Sequence, residues 1–138
     1  MDYEEFTRNL KADLRANGGA VTSGPMAGRP LMILTTNGAK SGEPREAIIT
    51  FTREGDKYVI AASKSGADTN PHWYHNLQVH PEATVEAGGE KFQARATEAT
   101  GAERDRLYAQ HAEERPEFRD YPNQTKRVIP VFTLERLN

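Results

Sequence analysis

Two short glycine turns, Glu54-Gly55-Asp56 and Gly88-Gly89, each sit between β-rich runs. A chain that doubles back twice in this way is committed to antiparallel pairing. The runs at Glu46–Arg53 and Lys57–Ala62 flank the first turn, and Thr84–Ala87 and Lys91–Thr97 flank the second. Leu31–Thr36 and Ile129–Leu134 add two more. Phe92, Ala94 and Ala96 alternate with Gln93, Arg95 and Thr97, so one face of that strand is expected buried and the other wet. Three helices are expected beside about six strands, with no strand–helix–strand alternation. That pattern favours a mainly β barrel with helical decoration over a parallel sheet.

The first helix covers residues 2–16, with Tyr3, Phe6, Leu10 and Leu14 on one stripe, and Gly18-Gly19 end the N-terminal segment 1–19. It is expected to pack on the barrel or cover its mouth. Contact with a membrane surface is the weaker reading, because its polar face carries as much acid as base. Residues 20–30 read as an irregular connector. Asn70 is expected to cap a helix that has Pro71 at its first position and runs to about Val79. Thr100 and Glu103 are expected to form a capping box for a helix through about Glu114.

At 138 residues, with 36% hydrophobic residues, the chain has enough apolar content for one core, so residues 1–138 are read as one domain. A formal charge of -2 argues against a nucleic-acid partner. The absence of cysteine removes disulfides and thiolate chemistry. No run has the roughly 18 apolar residues that a bilayer span needs, and the N-terminus lacks the apolar core of a secretory signal. A cytoplasmic location without stable membrane insertion is the expectation.

Four stretches could carry chemistry. Asn37–Arg45 is a two-glycine loop with Lys40, Ser41 and Arg45, donors suited to phosphate or carboxylate; otherwise it is an ordinary hairpin loop. Ala61–Pro71 is a run of small residues, with Ser63, Lys64 and Ser65, that ends at a helix start. A flat ligand could approach its backbone closely, or it is a plain surface loop. Pro71–Leu77 gathers Trp73 and Asn76 on one helix face, fit to grip an aromatic cofactor or to serve as core. His72 and His75 lack a third ligand at a telling spacing, so no metal is expected. Arg115–Thr125 is an aromatic, proline-bounded lid or strap. No serine-hydrolase elbow or telling carboxylate pair occurs.

Taken in order, Leu34-Thr35-Thr36-Asn37-Gly38-Ala39-Lys40-Ser41-Gly42-Glu43-Pro44-Arg45, Ala62-Ser63-Lys64, Pro71-His72-Trp73-Tyr74-His75-Asn76-Leu77, Gly88-Gly89-Glu90, Thr100-Gly101-Ala102-Glu103-Arg104 and Thr125-Lys126-Arg127-Val128-Ile129-Pro130-Val131 resemble the deazaflavin (F420)-dependent nitroreductase family. The likeness spans about Gly28 to Leu134. It implies a split β-barrel of the FMN-binding-like kind, with an N-terminal helix and with coenzyme F420 along one side. It implies that Lys40, Ser41 and Arg45 lie near the coenzyme's phosphate and tail, and Ser63, Lys64 and Ser65 near the deazaflavin and its side chain. Trp73 and Asn76 would close the pocket. The coenzyme carries a phosphodiester and a polyglutamate tail, so a chain of charge -2 has to gather cations locally to bind it.

The family's loop commonly reads Gly-Arg-Lys where this chain has Gly38-Ala39-Lys40, which bears on one tail contact. Of the tyrosines that nitroreductase members carry in the strap, only Tyr121 matches; Arg115 and Phe118 hold the other positions. That weighs against carrying over nitroimidazole or quinone activity specifically. The expected reaction is hydride transfer from reduced deazaflavin to a small activated alkene, such as an enone or unsaturated lactone, with quinones and nitro compounds as further acceptors. Tyr121 or water would protonate the product and Ser63 would orient coenzyme or substrate. Alternatives are an FMN-dependent split-barrel oxidoreductase and a carrier or sensor that binds deazaflavin without turnover. An open cavity beneath Phe118 and Tyr121 would favour catalysis over a carrier. Monomer and homodimer both remain open.

Overall fold

β-Branched and apolar runs set the frame. In the computed structural model, which describes residues 2–22, 24 and 26–137, seven strands form one antiparallel sheet: β1 (Leu31–Asn37), β2 (Pro44–Thr50), β3 (Thr52–Glu54), β4 (Lys57–Ala61), β5 (Glu82–Ala87), β6 (Glu90–Ala99) and β7 (Val131–Arg136). Their spatial order is β2-β1-β5-β6-β7-β4-β3. Both expected hairpins form. Ala87 pairs with Glu90 across Gly88 and Gly89, whose φ values of 58° and 82° suit a tight primed turn. Glu54 pairs with Lys57 across the other turn.

The two edges of this sheet are one piece of chain. β2 and β3 lie at opposite ends of the strand order, yet only Phe51 separates them. Two Cα steps span about 7 Å at most, so the edges have to meet and the sheet curls into the split barrel. The Glu46–Arg53 run, expected as one strand, breaks at Phe51. There the backbone N–H turns to the Pro30 carbonyl (3.1 Å) and the segment crosses from one edge to the other.

Alternation along β6 is as expected, with Phe92, Ala94 and Ala96 buried and the residues between them exposed. They join Met32, Leu34, Ile60, Phe132 and Leu134 inside the barrel. Helix α1 (Tyr3–Ala16) is capped by Asp2, whose carboxylate accepts from the Glu5 N–H (2.7 Å). Its Leu14 packs on Val21, Leu31 and Ile33. A Cβ on Gly19 would fall 2.6 Å from the Gly88 amide nitrogen, so the glycines after α1 and those of the β5–β6 turn allow two backbones to touch. The reading of residues 20–30 as a connector includes Ser23 and Pro25, which lie outside the described residues.

Helices α2 (His72–Val79) and α3 (Gly101–Glu114) fall where expected, but neither is capped as expected. Pro71 occupies the N-cap position of α2, and the Asn70 amide is recruited elsewhere, accepting from Arg127 Nη1 (2.8 Å). Thr100 occupies the N-cap of α3 without a side-chain cap bond, and Glu103 pairs with Arg106 instead. The Arg115–Thr125 strap folds into a 3-10 turn (Pro116–Arg119) and a short helix, α4 (Tyr121–Gln124). Phe118 is buried against α3, and the Tyr108 hydroxyl donates to its carbonyl (2.6 Å). No described helix is long and apolar enough to cross a membrane.

Candidate functional site

All nine residues expected to bind coenzyme or to act in catalysis line one cavity of about 1090 Å³, whereas His75 and Arg115 do not. The β1–β2 loop contributes Lys40 and Ser41, and β2 contributes Arg45. The segment after β4 contributes Ser63, Lys64 and Ser65; α2 contributes Trp73 and Asn76; α4 contributes Tyr121. Phe6, Thr7 and Leu10 of α1 form part of the wall, so that helix both packs on the barrel and lines the opening. Phe118 and Tyr121 are among the residues that line the cavity.

The lining charges leave a local cationic surplus. Among the lining residues, Arg29, Lys40, Arg45 and Lys64 are basic, and Glu46 and Glu117 are acidic. Both acids already have partners: Glu46 binds Lys11 (2.8 Å) and Arg15 (2.6 Å), and Glu117 binds Arg29 (3.1 Å). Those hydrogen bonds hold the Glu46 carboxyl below the ordinary value. Arg45 meets the exposed Glu43 carboxylate at 3.5 Å and donates to the Pro44 carbonyl at 3.3 Å. Lys64 donates to the Thr69 hydroxyl (3.3 Å). Lys40 has no ion-pair partner among the described residues. Three cations thus stand ready for an anion in a chain of charge -2.

Local geometry explains why these residues sit here. The β1–β2 loop closes through Gly42 N–H to the Gly38 carbonyl (2.8 Å) and Gly38 N–H to the Glu43 carbonyl (2.8 Å). The Ser41 hydroxyl accepts from the Glu43 N–H (3.1 Å). Asn76 braces this loop from behind. Its Oδ1 accepts from the Ala39 N–H (2.9 Å) and its Nδ2 donates to the Thr36 hydroxyl (3.0 Å). Both ends of this buried amide therefore bond to protein, and Asn76 fixes the backbone beside Lys40. Trp73 likewise lines the cavity while packing on Phe132 at 5.8 Å between ring centroids.

The segment after β4 is the strained one. Lys64 and Ser65 adopt φ values of 47° and 54°, followed by Gly66 at 83°. Left-handed non-glycine residues cost of order 1 kcal/mol each and cluster at ligand sites. A Cβ on Gly66 would fall 2.5 Å from the Gln124 side chain, so α4 packs directly on this segment. Arg127, which stands in one of the motifs of the resemblance but has no expected role, donates to the Ser63 carbonyl, the Ala67 carbonyl and the Asn70 side chain, each at 2.8 Å. Nothing local marks it out, since its partners lie about sixty residues away. The sequence reading passed over His111. It is fully buried, bonded to Thr52 (2.7 Å) and set against the Phe118 ring at 4.4 Å. Among the described residues, no group of three or more histidines and carboxylates is placed to hold a metal ion.

The family model for F420H(2)-dependent quinone reductases matches residues 6–136. The chain belongs to that family. The F420H(2)-dependent quinone reductase Rv1261c of Mycobacterium tuberculosis is 36% identical over 110 residues, covering 78% of this chain and 74% of the relative. The solved structure of an F420-H2 dependent reductase, FDR-A, is 36% identical, covers 78% of this chain and 95% of that one, and superposes with a TM-score of 0.71. A solved domain-swapped dimer, 30% identical, covers 97% of this chain and 100% of that one with a TM-score of 0.73. The protein is therefore an F420-dependent oxidoreductase of split-barrel fold, with coenzyme F420 as its cofactor. The family's name is quinone reductase rather than the nitroreductase label that the resemblance suggested. The residues present fit the coenzyme: three cations suit its polyanionic tail, and a cavity of about 1090 Å³ has room for its ring and a small acceptor together.

Proposed function

We propose that this chain reduces a small conjugated carbonyl compound with reduced F420, the class that takes in quinones, enones and unsaturated lactones. One observation carries the reading: the gathered cations and two hydroxyl side chains, Ser63 and Tyr121, line the same open cavity. The relatives named as quinone reductases make a quinone the first acceptor to try. An activated alkene presents the same electron-poor carbon beside a carbonyl.

When bound, the coenzyme supplies the hydride. The chain's own residues do the rest. Lys40, Ser41 and Arg45 hold the phosphate and tail, and Lys64 with Ser65 holds the ring's side chain. Charge-assisted bonds of this kind contribute about 1.5–3 kcal/mol each. Ser63, 6% exposed, orients the ring or the acceptor carbonyl. Tyr121, at the start of α4, holds a proton where the reduced acceptor's oxyanion develops. Trp73 and Phe118 exclude water from that end of the cavity.

The test is to mix the protein with reduced F420 and a panel of quinones, enones and nitroaromatics, following loss of the reduced coenzyme. Turnover of nitroaromatics alone would overturn the acceptor class. Lys40→Ala, Arg45→Ala and Lys64→Ala should each raise the coenzyme's Kd roughly 10-fold or more. Tyr121→Phe should lower kcat while leaving coenzyme binding intact; full turnover on every acceptor would move the proton donor elsewhere. We further propose action in the cytoplasm, as a monomer or as a homodimer of the kind seen in the domain-swapped relative. Native mass measurement separates the two states.

A further inference from the structure

The strained segment that carries Ser63, Lys64 and Ser65 is held from behind by one side chain. Arg127 does not line the main cavity; it borders a separate recess beside Asn70 and Tyr74. From there its Nη2 donates to the Ser63 carbonyl, its Nε to the Ala67 carbonyl and its Nη1 to Asn70 Oδ1, all at 2.8 Å. These acceptors mark the beginning, middle and end of the segment. Between the first two lie Lys64, Ser65 and Gly66, with φ values of 47°, 54° and 83°. Such a backbone relaxes unless its surroundings over-determine it.

Only a planar fork meets all three acceptors at once, because its donors point outward in one plane. A lysine ammonium carries the same charge at a single point. Gln124, three residues earlier in the chain, packs against Gly66 from the strap side. The segment is thus clamped between Arg127 and α4, the element that carries Tyr121.

We propose that Arg127 is a positioning residue for the coenzyme site: its guanidinium presets the Ser63–Ser65 segment in the shape that receives F420, without touching F420 itself. The proposal rests on assigning that segment to the coenzyme. Its energetic logic is preorganisation, in which the segment's ordering is completed before the ligand arrives.

The experiment uses the full chain with Arg127→Lys, Arg127→Ala and Lys64→Ala. Four quantities are read: amide hydrogen exchange over residues 63–70 without coenzyme, Kd for oxidised F420, acceptor KM and kcat at saturating coenzyme, and thermal midpoint. Arg127→Ala should speed exchange in the segment and raise the coenzyme's Kd roughly 10- to 100-fold. At saturating coenzyme the loss in kcat should be smaller than the loss in coenzyme affinity, because bound coenzyme restores much of the segment's shape. Added guanidinium should recover part of the affinity in Arg127→Ala and none in Lys64→Ala. Arg127→Lys keeps the charge and loses the fork, so a Kd raised roughly fivefold or more there excludes a simple charge effect. That variant also serves if Arg127→Ala does not fold. Wild-type coenzyme affinity in Arg127→Lys, or in folded Arg127→Ala, with Lys64→Ala weakened, overturns the role of Arg127. Wild-type affinity in Lys64→Ala overturns the assignment of the segment itself.

Discussion

His111 sits where water cannot follow it. Its ring is fully buried, one nitrogen meets the Thr52 hydroxyl at 2.7 Å, and Nε2 has no partner among the described residues. Burial is the main reason its pKa falls to about 4, with Arg115 pushing the same way and Glu117 opposing. An unfolded histidine titrates near 6.5, so between pH 6.5 and about 4 the unfolded chain binds the extra proton. Stability is fully present above 6.5 and is lost as pH falls through that window, by about 3 kcal/mol in all. His111→Asn should cost stability at neutral pH and flatten this slope, as read from urea midpoints at pH 7, 5.5 and 4.5. A slope that survives the substitution would point to another group. Glu46, bonded to Lys11 and Arg15, and Glu86, bonded to Arg15, have lowered pKa values, so the stability they contribute is present above the ordinary glutamate value and is lost only as pH falls below it. His111 and Arg127 were illegible in the sequence for one physical reason: a polar residue on a charged helix or loop reads as solvated until a distant partner is known. The convergence of Lys40, Arg45 and Lys64 on one cavity was legible because glycine and small residues around them mark loops whose backbone can lie close to a neighbour.

Helix α1 tests which force docks an element. Arg15 reaches Glu46 and Glu86, but its side chain stays 44% exposed, and ion pairs so placed contribute about 0–1 kcal/mol. Leu14 is 3% exposed and packs on Leu31 and Ile33. Leu14→Ala should cost about 2–4 kcal/mol and Arg15→Ala under about 1 kcal/mol, measured by urea unfolding. Equal costs would mean that the ion pairs dock the helix. The hairpins were legible at this scale because a two-residue glycine turn is local chemistry. The break at Phe51 was not, since the β pattern runs through it and only the barrel's closure requires it. The caps failed for a related reason: Asn70 has two possible customers, and Arg127 outcompetes the helix end. Gly66→Ala belongs here too. With φ at 83° and Gln124 2.5 Å from the new Cβ, it should separate α4 from the Ser63–Ser65 segment. We expect a Kd for F420 raised roughly 10-fold or more, and a circular dichroism spectrum close to wild type.

Across the whole molecule, the chain's charge of -2 repels a polyanion at long range while its cavity attracts one at short range. That division fixes how binding should respond to conditions. Lys40 and Arg45 are exposed, so salt at about 0.15 M, with a screening length of about 8 Å, weakens their pull without touching the buried core. If residues 1–138 unfold as one barrel unit, coenzyme at 100 times its Kd adds about 2.7 kcal/mol to that single transition, or roughly 10 °C for a chain of this size. Trp73 fluorescence and far-ultraviolet circular dichroism should then report the same midpoint with and without coenzyme. At the same coenzyme concentration, a Lys40→Ala variant with a tenfold higher Kd should gain only about 1.4 kcal/mol, about half the thermal shift. Raising salt should shrink the wild-type shift toward that of the variant. Two separated transitions would break the one-unit description, and a shift indifferent to both salt and Lys40 would mean that the coenzyme is held by apolar contact rather than by the gathered cations.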